Sequence, residues 1–94
     1  MKLIEIKPVF ITKIPEKEIL EENKIYISKE YNTSIHLCFC GCKNEVINPL
    51  DASGWILTTN DGKVTLTPSI NNYNFRCESH YIITKNVVHF IKVK

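Results

Sequence analysis

The run His36-Leu37-Cys38-Phe39-Cys40-Gly41-Cys42 puts three thiols and an imidazole within seven residues, and a fourth thiol follows at Cys77. Thiolates clustered this way are soft ligands suited to a tetrahedral metal, zinc above all. Residues at i, i+2 and i+4 of a strand share one face. In a fully extended strand, however, Cys38 and Cys42 would stand about 13 Å apart. Two sulfurs on one zinc are only about 4 Å apart. The chain must therefore bend within the run, and Gly41 is the residue that permits the bend. With Cys77 as fourth ligand the site is closed, which makes zinc structural rather than catalytic. Other readings use the same residues. One of the cysteines can give way to His80 or His36 as ligand, since Cys77-Glu78-Ser79-His80 has a common chelating spacing. A disulfide or four buried thiols would leave no metal at all, but clustering and a reducing compartment weigh against both.

A second chemistry is available beside the first. A zinc that gathers the four cysteines brings His36 and His80 into one neighbourhood. Ser69 lies in Thr67-Pro68-Ser69-Ile70, just after a strand, where its side chain can be exposed. A serine hydroxyl becomes a nucleophile only when an imidazole can take its proton. Ser69 with His80 or His36 is thus a candidate catalytic pair. The plain alternative is a turn-stabilising hydroxyl and histidines that merely buttress the metal loop. Ser79 is less suited to the role, because in an extended segment its side chain diverges from that of His80. His89 reads as exposed or structural, and Trp55, Tyr73, Phe75 and Tyr81 as core or rim aromatics.

The elements that must carry these groups read as mainly β. Residues 2–11 form an extended segment that Pro8 breaks or confines to a sheet edge. Pro15–Asn23 is the one helical stretch, with Pro15 at a first helical position and Asn23 ending it. Strands follow at Lys24–Ser28, Ser34–Cys38, Glu45–Asn48, Trp55–Thr59, Lys63–Thr67, Tyr81–Thr84 and Val87–Lys92. Asp61-Gly62 signals a tight hairpin, and Lys85-Asn86 a second one. The expected fold is a small antiparallel sandwich or partly open barrel of about seven strands with one short helix, stabilised by zinc. Its 94 residues give room for a single domain, 1–94.

Composition narrows the partners. Basic residues outnumber acidic ones by only 12 to 10, and eleven of the twelve are lysines spread along the chain. That is poor material for tracking phosphates, so no nucleic acid is expected. Glu5 and Lys7 interrupt the N-terminal apolar residues, so no signal peptide is expected. No apolar run reaches the roughly 20 residues of a membrane span. The expected location is the cytoplasm, where thiols stay reduced.

Taken together, His36-Leu-Cys38-Phe-Cys40-Gly-Cys42, Gly54-Trp55-Ile56-Leu57-Thr58, Thr67-Pro68-Ser69-Ile70 and Cys77-Glu-Ser79-His80-Tyr81 resemble a bacterial family of short domain-of-unknown-function proteins. Its members show H-x-C-x-C-G-C, P-S-I and C-x-S-H-Y in that order. The resemblance runs from about Leu20 to Val93. It implies a bacterial ubiquitination-like operon as the setting, with a ubiquitin-like protein and E1-like and E2-like enzymes as partners. It also implies metal binding by the cysteines and a peptidase role in maturing or removing the ubiquitin-like protein, with Ser69 as nucleophile and His80 or His36 as base. The alternative is a non-catalytic zinc module that binds the same partners. Lys43 departs from the family, in which many members have Gly, and this should alter the conformation or charge of the cysteine loop.

Overall fold

The turn residues divide the chain into short strands that lie in two sheets. The structure, a computed structural model, describes residues 3–92. Its strands are β1 (Leu3–Glu5), β2 (Lys7–Ile11), β3 (Lys24–Ser28), β4 (Thr33–Leu37), β5 (Glu45–Pro49), β6 (Ile56–Asn60), β7 (Lys63–Asn71), β8 (His80–Thr84) and β9 (Val87–Lys92). A five-stranded sheet runs β1-β9-β8-β7-β6 and a four-stranded sheet runs β2-β3-β4-β5. The fold is mainly β, two sheets rather than a closed barrel. Inward residues of both sheets form one core: Ile25, Ile27 and Val46 meet Val64, Leu66, Ile70, Tyr81, Ile83, Val88 and Phe90.

The hairpins follow from local chemistry. Asp61 (φ 52°) and Gly62 (φ 75°) both adopt left-handed backbone, as do Lys85 (φ 47°) and Asn86 (φ 66°). Two consecutive positive φ values define the turn whose twist matches flanking antiparallel strands. Asn86 also locks its own turn to the neighbouring one, since its Oδ1 accepts from the Val64 N–H at 2.7 Å.

Two differences from the sequence reading stand out. The Pro15–Asn23 helix is only a single 3-10 turn, Lys17–Ile19, without a side-chain cap. Its one anchor is Leu20, 7% exposed, while Ile19 is 61% exposed. A segment this short, with so narrow an apolar contact, does not offset the cost of helix nucleation. The N-terminal segment breaks at Ile6 rather than at Pro8. Ile6 is buried, and its N–H donates to Asn86 O at 2.8 Å. Here the chain passes from one sheet to the other: β1 pairs antiparallel with β9 and β2 pairs parallel with β3. Pro8 sits on β2, an edge strand, where its missing N–H costs nothing. The split gives nine strands among the described residues instead of about seven.

β7 carries the irregularity that matters most for the site. It pairs with β8 at Leu66↔Ile83 and again at Ile70↔Tyr81, so Thr67, Pro68 and Ser69 face the single residue Ile82. Extra residues of this kind bend a strand and re-aim its side chains.

Candidate functional site

β4 ends at Leu37, and the next seven residues coil the thiols together. Gly41 N–H donates to Cys38 O at 3.1 Å, and Cys38 N–H donates to Asn44 O at 2.7 Å. Gly41 takes φ 96° and Lys43 φ 64°. A non-glycine residue at positive φ is a strained choice, so Lys43 stands where a glycine would fit at less cost. Cys77 arrives from the loop between β7 and β8. That loop is folded on itself by Asn72 N–H to Ser79 O at 2.8 Å and Glu78 N–H to Phe75 O at 3.0 Å.

The four sulfurs all lie within 4.8 Å of one another. Individual separations are 3.4 Å (Cys38–Cys40), 3.8 Å (Cys38–Cys77) and 3.7 Å (Cys42–Cys77). A tetrahedral ion with metal–sulfur bonds of about 2.3 Å needs edges of about 3.8 Å, so the donor set fits a metal. Polar neighbours surround the sulfurs. Ser79 Oγ lies 3.2 Å from Cys38 Sγ and 3.4 Å from Cys77 Sγ. Asn44 Nδ2 donates to Cys42 Sγ at 3.3 Å, and Asn72 Nδ2 approaches Cys38 Sγ at 3.7 Å. Such donors orient and stabilise thiolates on a metal. Without one the thiols resist ionising together: burial pushes Cys38 up and Cys40 well up. Burial also acts against Cys77, but hydrogen bonds with Ser79 and Cys40 outweigh it and bring that thiol down to about 7. Neither histidine belongs to the sulfur group.

Ser69 and His80 meet on the outer face of the five-stranded sheet. Tyr81 and Ile83 of β8 point into the core, so His80 and Ile82 point outward. The β7 bulge turns Ser69 toward this face, and Ser69 Oγ lies 2.7 Å from His80 Nε2. Both residues are half-buried. Tyr73 stands edge-on to the His80 ring at 6.0 Å, with the Lys92 ammonium 5.3 Å from its own ring. A hydroxyl hydrogen-bonded to an imidazole that is open to one side has the geometry of a nucleophile and its base.

His36 is placed elsewhere. It is fully buried between the sheets, where it pairs with Ile25 and Val46 across β4. Its Nε2 is 2.7 Å from Tyr81 Oη, and its ring stacks on Phe39 at 4.3 Å. Burial lowers its pKa to about 3, so it stays neutral. Its Nδ1 has no hydrogen-bond partner. His36 is therefore not brought to Ser69, and its hydroxyl partner is Tyr81, whose sequence context marks it only as a core or rim aromatic. Asn44 and Asn72, both at sulfur atoms, carry no local sequence signal of that role. Asn72 sits in an Asn-rich stretch whose composition signals only a loop.

Among the described residues no helix is long and apolar enough to cross a membrane. No curated protein and no solved structure was found to match the chain. A family model does match, over residues 10–91, which takes in every cysteine, Ser69 and all three histidines. The chain belongs to that family, whose description is bacterial ubiquitination-like system serine protease (BubE).

Proposed function

We propose that the protein is a zinc-stabilised peptidase that matures or removes a ubiquitin-like protein, with Ser69 as nucleophile and His80 as base. The observation that carries the reading is the 2.7 Å separation of Ser69 Oγ from His80 Nε2 on an open sheet face. Membership of a serine protease family of the ubiquitination-like systems supports the reaction class and the partner. In this reading Ser69 Oγ attacks the scissile carbonyl while His80 takes its proton. His80 then gives that proton to the leaving amine, and a water activated by the same imidazole releases the acyl group from Ser69. His36 takes no part, since both its position and its hydrogen bond direct it to Tyr81.

Cys38, Cys40, Cys42 and Cys77 hold the zinc. Four thiolates leave no position for water or substrate, so the ion's contribution is folding energy and a fixed loop. That loop sets Cys77 and Ser79, and through them the backbone that carries His80. The need for reduced thiols suits the cytoplasm. The E1-like and E2-like enzymes of the same system are further partners, reached through the conjugates they make.

The test is incubation of the ubiquitin-like precursor with wild type and with Ser69→Ala. Cleavage by the wild type that is lost in the variant, together with labelling of Ser69 by a fluorophosphonate, supports the peptidase. Equal cleavage by the variant refutes it. Binding of the precursor with no cleavage by either protein identifies a zinc-dependent binding module instead.

A further inference from the structure

A sheet with one face on the core and the other in water alternates apolar inward and polar outward. The outer face of the five-stranded sheet breaks that rule. Leu3 pairs with His89, and His89 with Ile82, all pointing away from the core. Beyond the β7 bulge Thr67 pairs with Ile56 on the same side. Val87, paired with Glu5 and Thr84, widens this row at one side, and Ile91, next after the inward Phe90, widens it at the other. Leu3, Ile56 and Ile91 are each more than half exposed. Single exposed apolar residues are ordinary, whereas a contiguous patch of them marks a contact surface. This belt crosses all five strands, about 19 Å at about 4.8 Å from strand to strand.

The reactive pair opens onto the same face. Ile82 follows His80 by two residues on β8, so the two side chains stand side by side about 7 Å apart. No pocket serves the pair. The recesses of about 480, 290 and 460 Å³ lie elsewhere, and neither Ser69 nor His80 lines any of them. An extended peptide is recognised through pockets for its side chains. A peptidase with its nucleophile on an open sheet must take affinity from a wider contact, and the surface continuous with the nucleophile is the belt. Its width matches the side of a folded domain rather than one strand of a tail. The charge beside the pair is positive: Lys92 is the cross-strand partner of His80, and its ammonium lies 5.3 Å from the Tyr73 ring, itself edge-on to the imidazole.

We propose that the outer face of the five-stranded sheet is the docking surface for the folded body of the ubiquitin-like substrate. The matching surface is an apolar patch with a carboxylate at the margin nearest the scissile bond, where it meets Lys92. Docking in this way lays the chain that leaves the folded body across Ser69. The identity of the partner rests on the peptidase reading; the contact surface rests on the belt.

The test sets the intact ubiquitin-like precursor against a synthetic peptide spanning its scissile bond. Leu3→Glu and Ile56→Glu charge the two ends of the belt, and Leu3 is three strands, about 14 Å, from the strand that bears Ser69. Both side chains are exposed, so the melting temperature should hold. In the Ser69→Ala background the precursor should bind at least tenfold more tightly than the peptide. Each belt substitution should weaken precursor binding about three- to tenfold and leave peptide binding alone. Lys92→Glu should weaken it more at low salt than at high salt. In the active enzyme the losses should fall on KM rather than kcat. Precursor binding that survives both belt substitutions in folded protein overturns the proposal, as does peptide binding as tight as that of the precursor. A dimer that Leu3→Glu converts to monomer with precursor binding unchanged also overturns it and gives the face to a second copy of this chain. Fluorophosphonate labelling of Ser69 separates the two ideas. Labelling with precursor binding indifferent to the belt leaves the peptidase and removes the docking surface. Belt-dependent precursor binding by a protein that neither labels nor cleaves does the reverse.

Discussion

Tyr81→Phe removes a single oxygen from the core and, with it, the hydrogen-bond partner of the His36 imidazole. Tyr81 is 0% exposed, and its ring contacts with Phe39 at 5.5 Å and Phe90 at 5.4 Å survive the change. No sizeable cavity forms. The cost comes from His36, whose Nδ1 is already unpartnered and whose Nε2 would join it. Leaving a buried polar group unsatisfied costs about 1–3 kcal/mol. At about 2 kcal/mol the melting temperature of a domain this size should fall by roughly 8–16 °C. His36→Phe takes the imidazole from the Tyr81 hydroxyl, which keeps Asn72, Cys38 and the Phe39 backbone as neighbours, and should cost less. The double variant removes both partners and should be far less destabilised than the sum of the two, with a coupling of about 1–2 kcal/mol. Urea unfolding of the metal-loaded proteins measures all four corners of the cycle. Additive effects, or singles within about 0.5 kcal/mol of wild type, would refute the claim that the two groups satisfy each other. Fluorophosphonate labelling of Ser69 should persist in every folded member, because Ser69 faces the opposite side of the sheet. Loss of labelling in a folded His36→Phe protein would make His36, not His80, the base.

Acid should also act through His36. Its pKa falls from 6.5 in the open chain to about 3 when buried. The unfolded state therefore binds the extra proton between those values, and stability falls as the pH drops from about 6.5 towards 3, at up to about 1.4 kcal/mol per pH unit. The stability difference between wild type and His36→Phe should follow that slope, and a flat difference would show that His36 is protonated when folded. Cys77→Ser should release the metal and destabilise by well over the roughly 1 kcal/mol of a typical point change; a metal analysis still showing one zinc per chain would exclude Cys77 as a ligand. Gly54→Ala should cost about 1–3 kcal/mol, because its Cβ would meet a backbone oxygen that cannot swing away. A melting temperature equal to wild type would show that the β5–β6 connection relaxes freely.

How far the sequence could be read depended on how local each feature was. The strands after Lys24 were legible because turn residues bound them. Asp61-Gly62 and Lys85-Asn86 adopt positive φ for reasons contained in two residues. The cysteine bend was legible from ligand spacing and Gly41 alone. The 12–23 segment was not, since helical propensity there had no apolar face to support it and Leu20 is its single deep anchor. The parallel pairing of β2 with β3 joins segments that no short turn connects, so local signals are silent about it. The two histidines show the same limit more sharply. Both sit close to cysteines in sequence, but His36 lies inward on one sheet and His80 outward on the other. The β7 bulge that brings Ser69 to His80 announced itself only as Pro68, a residue with several other uses in a strand.

Cys77, Ser79 and His80 share one short stretch but look in opposite directions. Ser79 is fully buried against the sulfurs, while His80 faces outward to Ser69. Ser79 immediately precedes β8, and from His80 onward adjacent residues alternate. What the stretch encodes is therefore a parity as much as a set of side chains. Glu78 takes φ 44°, so the direction of its neighbours rests on its backbone conformation. Inserting a single residue on either side of His80 would put the imidazole or the tyrosine on the wrong side. Through these four positions, chain length should drift as little as the identities of Cys77 and His80.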